Sequence, residues 1–175
     1  KAVGDMKIRI DSEDPQNVPG EIQAYGVNVM EGYFKNELAT GAAFTDDGWL
    51  RTGDLGVIDL QGNIYIRGRS KNMILSANGQ NIYPEEIEAI INTSPYVLES
   101  VVVDRYPSLV ALVHLDKKRL EKDSVDNEGL QNILDLMHSI VNRQLPSYSQ
   151  IAKFEVVDEP FAKTPKFSIK RYLYK

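Results

Sequence analysis

In the segment Asp47-Gly48-Trp49-Leu50-Arg51-Thr52-Gly53-Asp54-Leu55-Gly56 a carboxylate is held between glycines in a turn-rich setting. An ionised carboxylate accepts two hydrogen bonds at once, and a ribose diol is one ligand that presents two donors at suitable spacing. The same Thr-Gly-Asp also suits a plain β-turn. Further on, Gly68-Arg69-Ser70-Lys71 offers a planar guanidinium fork for phosphate or ribose oxygens, with Lys71 where the sequence pattern changes. By spacing alone these are equally surface charges. Gly79 marks either a tight turn or a place where a ligand approaches the backbone closely. The last cluster is basic: Lys163, Lys166, Lys170 and Arg171 surround Thr164-Pro165, which favours a non-helical form. It suits contact with anionic phosphates, and equally a solvated terminus. The basic residues also interleave with Phe167, Tyr172 and Tyr174, a pattern that permits nucleic-acid binding.

Two kinds of segment must position these residues. Up to about residue 68 the pattern is strand-like: residues 6–10 alternate, 21–27 form a short apolar run, and Ile64 and Ile66 share a face. Asp59-Leu60-Gln61-Gly62-Asn63 reads as a hairpin turn. Beyond Arg69 the period changes. Pro84-Glu85-Glu86 opens a helix whose Ile87, Ile90 and Ile91 share one face, closed by Asn92-Thr93-Ser94-Pro95. Residues 100–103 and 109–115 read as an antiparallel pair across Arg105-Tyr106-Pro107-Ser108. Residues 116–128, highly charged, read as a solvated connection. Leu130, Ile133, Leu134, Met137, Ile140 and Val141 form the stripe of a core-facing helix, and residues 154–157 suggest a last strand. The fold class is α+β: a β-rich piece over 1–68, then a small α+β domain over 69–175, joined by a short hinge.

The composition bounds the rest. The chain has 175 residues, 20 Lys+Arg against 25 Asp+Glu for a net charge of −5, and is 42% hydrophobic. That excludes disorder, collagen and coiled coil, and the acidic balance argues against nucleic acid as a partner. There is no cysteine, hence no disulfide framework or thiolate metal site, and His114 and His138 are too few for a zinc cluster. A reducing cytoplasm is the expected location. No window approaches the roughly 18–20 consecutive apolar residues of a membrane span, although peripheral membrane contact stays open. The opening Lys1 suggests a processed or excised piece.

Taken in order, these segments resemble the C-terminal part of the adenylate-forming enzymes, the superfamily of acyl-CoA synthetases, adenylation domains and luciferases. The likeness begins at Gly20-Glu21-Ile22, Val29-Met30-Glu31-Gly32-Tyr33 and Glu37-Leu38-Ala39-Thr40. It continues through Gly48 to Gly56, Gly68-Arg69-Ser70-Lys71 and residues 79–88, and ends in the basic tail. The tail is most similar to that of long-chain fatty acid:CoA ligases.

The resemblance implies part of a longer enzyme that activates a fatty acid with ATP, releases pyrophosphate and passes the acyl group to coenzyme A. It implies Asp54 on the ribose hydroxyls, Arg69 on the same nucleotide, Lys71 as the hinge of a rotating C-terminal domain, and Gly79 in the loop lining the pantetheine passage. Residues 1–68 would be the last β subdomain of the large N-terminal domain. Mg2+ is implied for the parent, with no metal site in this chain, and the remainder of the N-terminal domain is the expected partner. One position departs from the pattern: the family's catalytic lysine aligns with Ser168. Serine cannot supply that charge, and loss of one preorganised electrostatic contact typically costs about 10²–10³ in rate. Lys166 and Lys170 flank Ser168 and, in an extended segment, would point to its side. The alternatives are a non-catalytic member that binds nucleotide or acyl-adenylate, and an adenylating enzyme for another acid or a carrier-protein thiol. The chain alone is expected to be inactive, lacking a glycine-rich phosphate cradle.

Overall fold

A computed structural model describes residues 4–174. The chain forms two compact units, one ending at Asn72 and the other beginning at Met73.

The first unit is a four-stranded antiparallel sheet in the order β1-β2-β3-β4, built from Lys7–Asp11, Gly20–Tyr25, Leu50–Ile58 and Ile64–Arg69. Ile10, Ile22, Ala24 and Val57 are its buried apolar residues. A short helix, α1 (Glu37–Ala43), is capped by the Asn36 side chain, which accepts from the Ala39 N–H at 3.0 Å. The turn-rich segment around Asp54 is thus largely a nine-residue strand, β3. Gly56 serves strand packing and not a turn, since it sits where the neighbouring backbone crowds: a Cβ there would lie 2.7 Å from the Tyr65 carbonyl. The β3–β4 hairpin turns at residues 59–63 as the sequence suggests. Gly62 has φ +76°, and the Asp59 carboxylate accepts from the Gln61 and Asn63 N–H groups and from Tyr65 Oη.

The second unit opens with a small hairpin of β5 (Ile74–Leu75) and β6 (Asn81–Ile82), followed by α2 (Pro84–Ile91). Its centre is a three-stranded sheet in the order β7-β8-β9. β7 (Val97–Arg105) runs antiparallel to β8 (Ser108–Leu115), and β9 (Ile151–Val157) joins β8 in parallel. Between β8 and β9 lie α3 (Lys117–Lys122) and α4 (Asn127–Gln144). The charged run at 116–128 is therefore partly helical. Asp116 caps α3 by accepting from the Arg119 N–H, and Arg119 pairs with Asp123 one turn on.

Period-two alternation divides the sheet between two cores. Val102, Leu109, Ala111, Val113 and Leu115 face α2 and α4, where Ile87, Ile91, Met137 and Val141 meet them. Val101, Val103, Val110 and Leu112 face the opposite way, against Phe161, Ile169 and Tyr174 of the tail. Strands covered on both faces read as continuous apolar runs. The basic tail is accordingly anchored to the sheet through Ile169 and Tyr174, while residues 165–168 stand exposed. Both histidines serve the fold: His138 Nε2 lies 2.8 Å from the Ile151 carbonyl and His114 Nδ1 3.1 Å from that of Val157. Among the described residues no helix is long and apolar enough to cross a membrane.

Candidate functional site

Antiparallel pairing sets Asp54 of β3 directly opposite Arg69 of β4. Their side chains meet across the strands, with Arg69 Nε 3.0 Å from Asp54 Oδ1. The guanidinium also donates to the Thr52 carbonyl at 3.0 Å. Both side chains stay accessible, Asp54 about one third and Arg69 about one half exposed.

The backbone that presents Asp54 is fixed from three directions. Thr52 Oγ1 donates to the Ile22 carbonyl at 2.7 Å and accepts from the Asp54 N–H at 3.1 Å. The Gly53 N–H donates to Glu21 Oε1, and Arg51 Nη1 holds the other Glu21 oxygen at 3.0 Å. Gly53 has φ +73°, a conformation that a side chain would strain, and a Cβ there would stand 3.6 Å from Arg69 Nη1. The product is a surface carboxylate, oriented beforehand, with a cation beside it. Such a pair can accept two hydroxyl protons on the acid while the fork offers donors to neighbouring oxygens. Ser70–Asn72 then forms one turn of 3₁₀ helix carrying the exposed Lys71, the last step before the second unit.

In the second unit Gly79 occupies the β5–β6 turn with φ +79°. Ser76 closes that turn, accepting from the Gln80 N–H at 2.8 Å through its hydroxyl and from the Gly79 N–H at 2.9 Å through its carbonyl. The hairpin borders a cleft of about 600 Å³ floored by Ile82, Leu109 and Ile151 and rimmed by Asn78, Tyr106 and Tyr148. No described lysine or arginine lines it.

The tail is a reverse turn. The Thr164 N–H donates to the Ser168 carbonyl at 2.8 Å, the Phe167 N–H donates to the Thr164 carbonyl at 2.9 Å, and Lys163 bridges Ile169. Phe167 has φ +60°. The extended geometry that would carry Lys166 and Lys170 to the side of Ser168 is therefore not adopted. Lys166 stands exposed in the turn beside Ser168, whereas Lys170 lies at its base, its N–H donating to the Ala162 carbonyl at 2.8 Å. Lys163 pairs with Glu99 of β7.

One arrangement escapes the sequence reading. Glu88 of α2 is buried and receives both Nη groups of Arg171 together with the Val102 N–H, the Nη1 contact at 2.7 Å and the amide contact at 2.6 Å. Burial pushes the Glu88 carboxyl above its ordinary value, and Arg171 pulls against that rise. The available signal is positional: Glu88 falls with Pro84, Ile87 and Ile91 on the buried face of its helix. Among the described residues no group of three or more His, Cys, Asp or Glu side chains could hold a metal ion.

A family model described as the AMP-binding enzyme C-terminal domain matches residues 71–174. A 2-succinylbenzoate–CoA ligase of Bacillus pumilus is 36% identical over 144 residues, 80% of this chain and 27% of that protein. A long-chain fatty acid–CoA ligase of Mycobacterium tuberculosis is 42% identical over 103 residues, 58% of this chain and 17% of that protein. The chain thus spans between about a sixth and a quarter of these curated relatives. In solved structures, o-succinylbenzoate CoA synthetase of Bacillus subtilis, in complex with its acyl-adenylate intermediate, superposes with a TM-score of 0.78 at 30% identity. That match covers 97% of this chain and 34% of the synthetase. The adenylation domain of a Mycobacterium chelonae carboxylate reductase gives 0.82 at 22% identity, a likeness of fold alone.

Proposed function

Since the chain belongs to the AMP-binding enzyme C-terminal domain family, we propose that it is the closing portion of a cytoplasmic ATP-dependent acyl-CoA ligase acting on a long-chain fatty acid. The observation that carries the nucleotide part is the Asp54–Arg69 pair, held on a backbone that Thr52, Gly53 and Glu21 fix in advance. Asp54 accepts the ribose hydroxyls of ATP and Arg69 contacts the same nucleotide. Lys71 is the pivot about which the C-terminal domain turns, because such closures are absorbed by a few residues at the ends of elements. The Gly79 turn lines the path of the pantetheine arm of coenzyme A, and the cleft beside it, lined mostly by apolar and hydroxyl side chains with Asn78 and Gln150, suits an arm of amides and hydroxyls. Residues 1–68 belong with the large N-terminal domain of the parent, and Mg2+ enters with ATP as substrate.

The fatty-acid reading rests on the tail, and Lys166 is the better placed of the two lysines for charge at the forming adenylate, being exposed in the turn beside Ser168. The test is acid-dependent ATP–pyrophosphate exchange by the full-length parent, with fatty acids of several lengths, o-succinylbenzoate and a carrier-protein acceptor compared, beside Asp54→Ala. Hydrogen bonds to a charged group are worth about 1.5–3 kcal/mol, so the variant should lose about 10–100-fold. Exchange supported by aryl acids and by no fatty acid would replace the substrate assignment. Absence of exchange with every acid, in a folded protein, would favour the second reading, a non-catalytic binder of nucleotide or acyl-adenylate, which Ser168 supports.

A further inference from the structure

We propose that Glu88 is a positioning residue for adenylate formation, acting through Arg171 to fix the direction of the turn that carries Lys166 and Ser168. This rests on the reading that the turn brings positive charge to the forming adenylate. Neither Glu88 nor Arg171 reaches the tip of that turn; they act at its base.

The tail is held to the sheet by packing, by the single-point Lys163–Glu99 pair and by the Arg171 fork. Phe161 and Tyr174 pack edge to face at 4.9 Å, Ile169 joins them, and Tyr174 Oη accepts from the Ala162 N–H at 2.7 Å. The apolar part of this packing secures the segment without setting its angle, because apolar burial is non-directional, and the Ala162–Tyr174 hydrogen bond ties the tail only to itself. The Arg171 fork is directional: each Nη meets one Glu88 oxygen, and Glu88 Oε1 is itself fixed by the Val102 N–H. Arg171 immediately follows Lys170, whose N–H closes the base of the turn onto Ala162. A guanidinium pinned at two points therefore orients the backbone on which the turn stands. An apolar pair would satisfy stability at least as well, since a buried ion pair repays its desolvation only with excellent geometry. Geometry is what this pair supplies.

The experiment uses the full-length parent with Glu88→Gln, which keeps the shape and the amide acceptor but removes the charge, and Arg171→Lys, which keeps the charge but removes the fork. Three quantities are read for each variant: kcat and KM for ATP in acid-dependent pyrophosphate exchange, the rate of thioester formation from supplied acyl-adenylate and coenzyme A, and amide hydrogen exchange. Both variants should lower exchange kcat by about 10–100-fold, the scale of loss on misplacing a catalytic group by about 1 Å. KM for ATP and the thioester step should stay within about threefold, because neither uses the turn. Amides of residues 162–171 should exchange faster while those of β8 keep their protection. A uniform fall in both half-reactions with lost protection in β8 would reduce the pair to a structural role and overturn the proposal, as would variants with unchanged exchange kcat. A wild-type parent without exchange on any acid would remove the underlying reading, and the positioning role with it.

Discussion

At Asp54 the residue type gave the chemistry and the pairing gave the partner. A carboxylate between glycines is visible in the sequence, but its meeting with Arg69 depends on strand register, which a bulge at Arg67 of β4, opposite Leu55 and Gly56, shifts. Gly53 makes the most specific prediction here. Gly53→Ala forces an L side chain to φ +73° and should cost about 1–2 kcal/mol of stability, read by urea unfolding, as well as nucleotide affinity. A second concerns Asp47. Its carboxyl lies at about 2, held down by Arg9 at 2.6 Å and by the Thr45 hydroxyl. The folded value lies below the ordinary one, so its contribution is present above about pH 4 and is lost as pH falls through about 2. Asp47→Asn should flatten acid unfolding of the first unit between those limits, measured by tryptophan fluorescence at Trp49, on whose ring Arg9 stacks at 4.5 Å.

Elements were legible wherever a period ran unbroken. The α2 face and the β7–β8 pair follow their patterns, and so does the α4 stripe except at Ile140, which is exposed. Truncating Ile91, fully buried between α2 and the sheet, should destabilise by about 2–5 kcal/mol, against about 0.5 or less for exposed Leu38, as read by denaturant midpoints. What stayed hidden did so for stated reasons. α3 is only six residues long and almost wholly charged, so it has no apolar stripe to betray it. The tail turn places Phe167, not a glycine, at positive φ. The Glu88–Arg171 pair joins residues 83 apart, and only one half of it, an acid on an apolar helix face, leaves a mark on local sequence.

At the scale of the molecule the chain carries the Asp54–Arg69 pair, the Ser70–Asn72 turn that precedes the second unit and the tail, but no glycine-rich phosphate cradle, and it spans about a quarter of the Bacillus pumilus relative. The 175 residues alone should release no pyrophosphate from ATP with any fatty acid and form no acyl-CoA; turnover by the isolated chain, followed by pyrophosphate assay, would overturn the fragment reading. The double variant Lys166→Ala, Lys170→Ala in the parent should cut exchange by about 10²–10³, as expected for removing preorganised charge. Normal exchange in that variant would end the assignment of either lysine.

The bond from the Val102 amide to Glu88 bears on solubility as well. Val102 sits on β7, the outer strand of its sheet, and its N–H turns away from β8 toward the carboxylate. An outer strand with open amides is a template on which another chain can add a strand. A buried acid in that position occupies the template from within, so a mutation that pulls Glu88 aside would show itself first as concentration-dependent self-association.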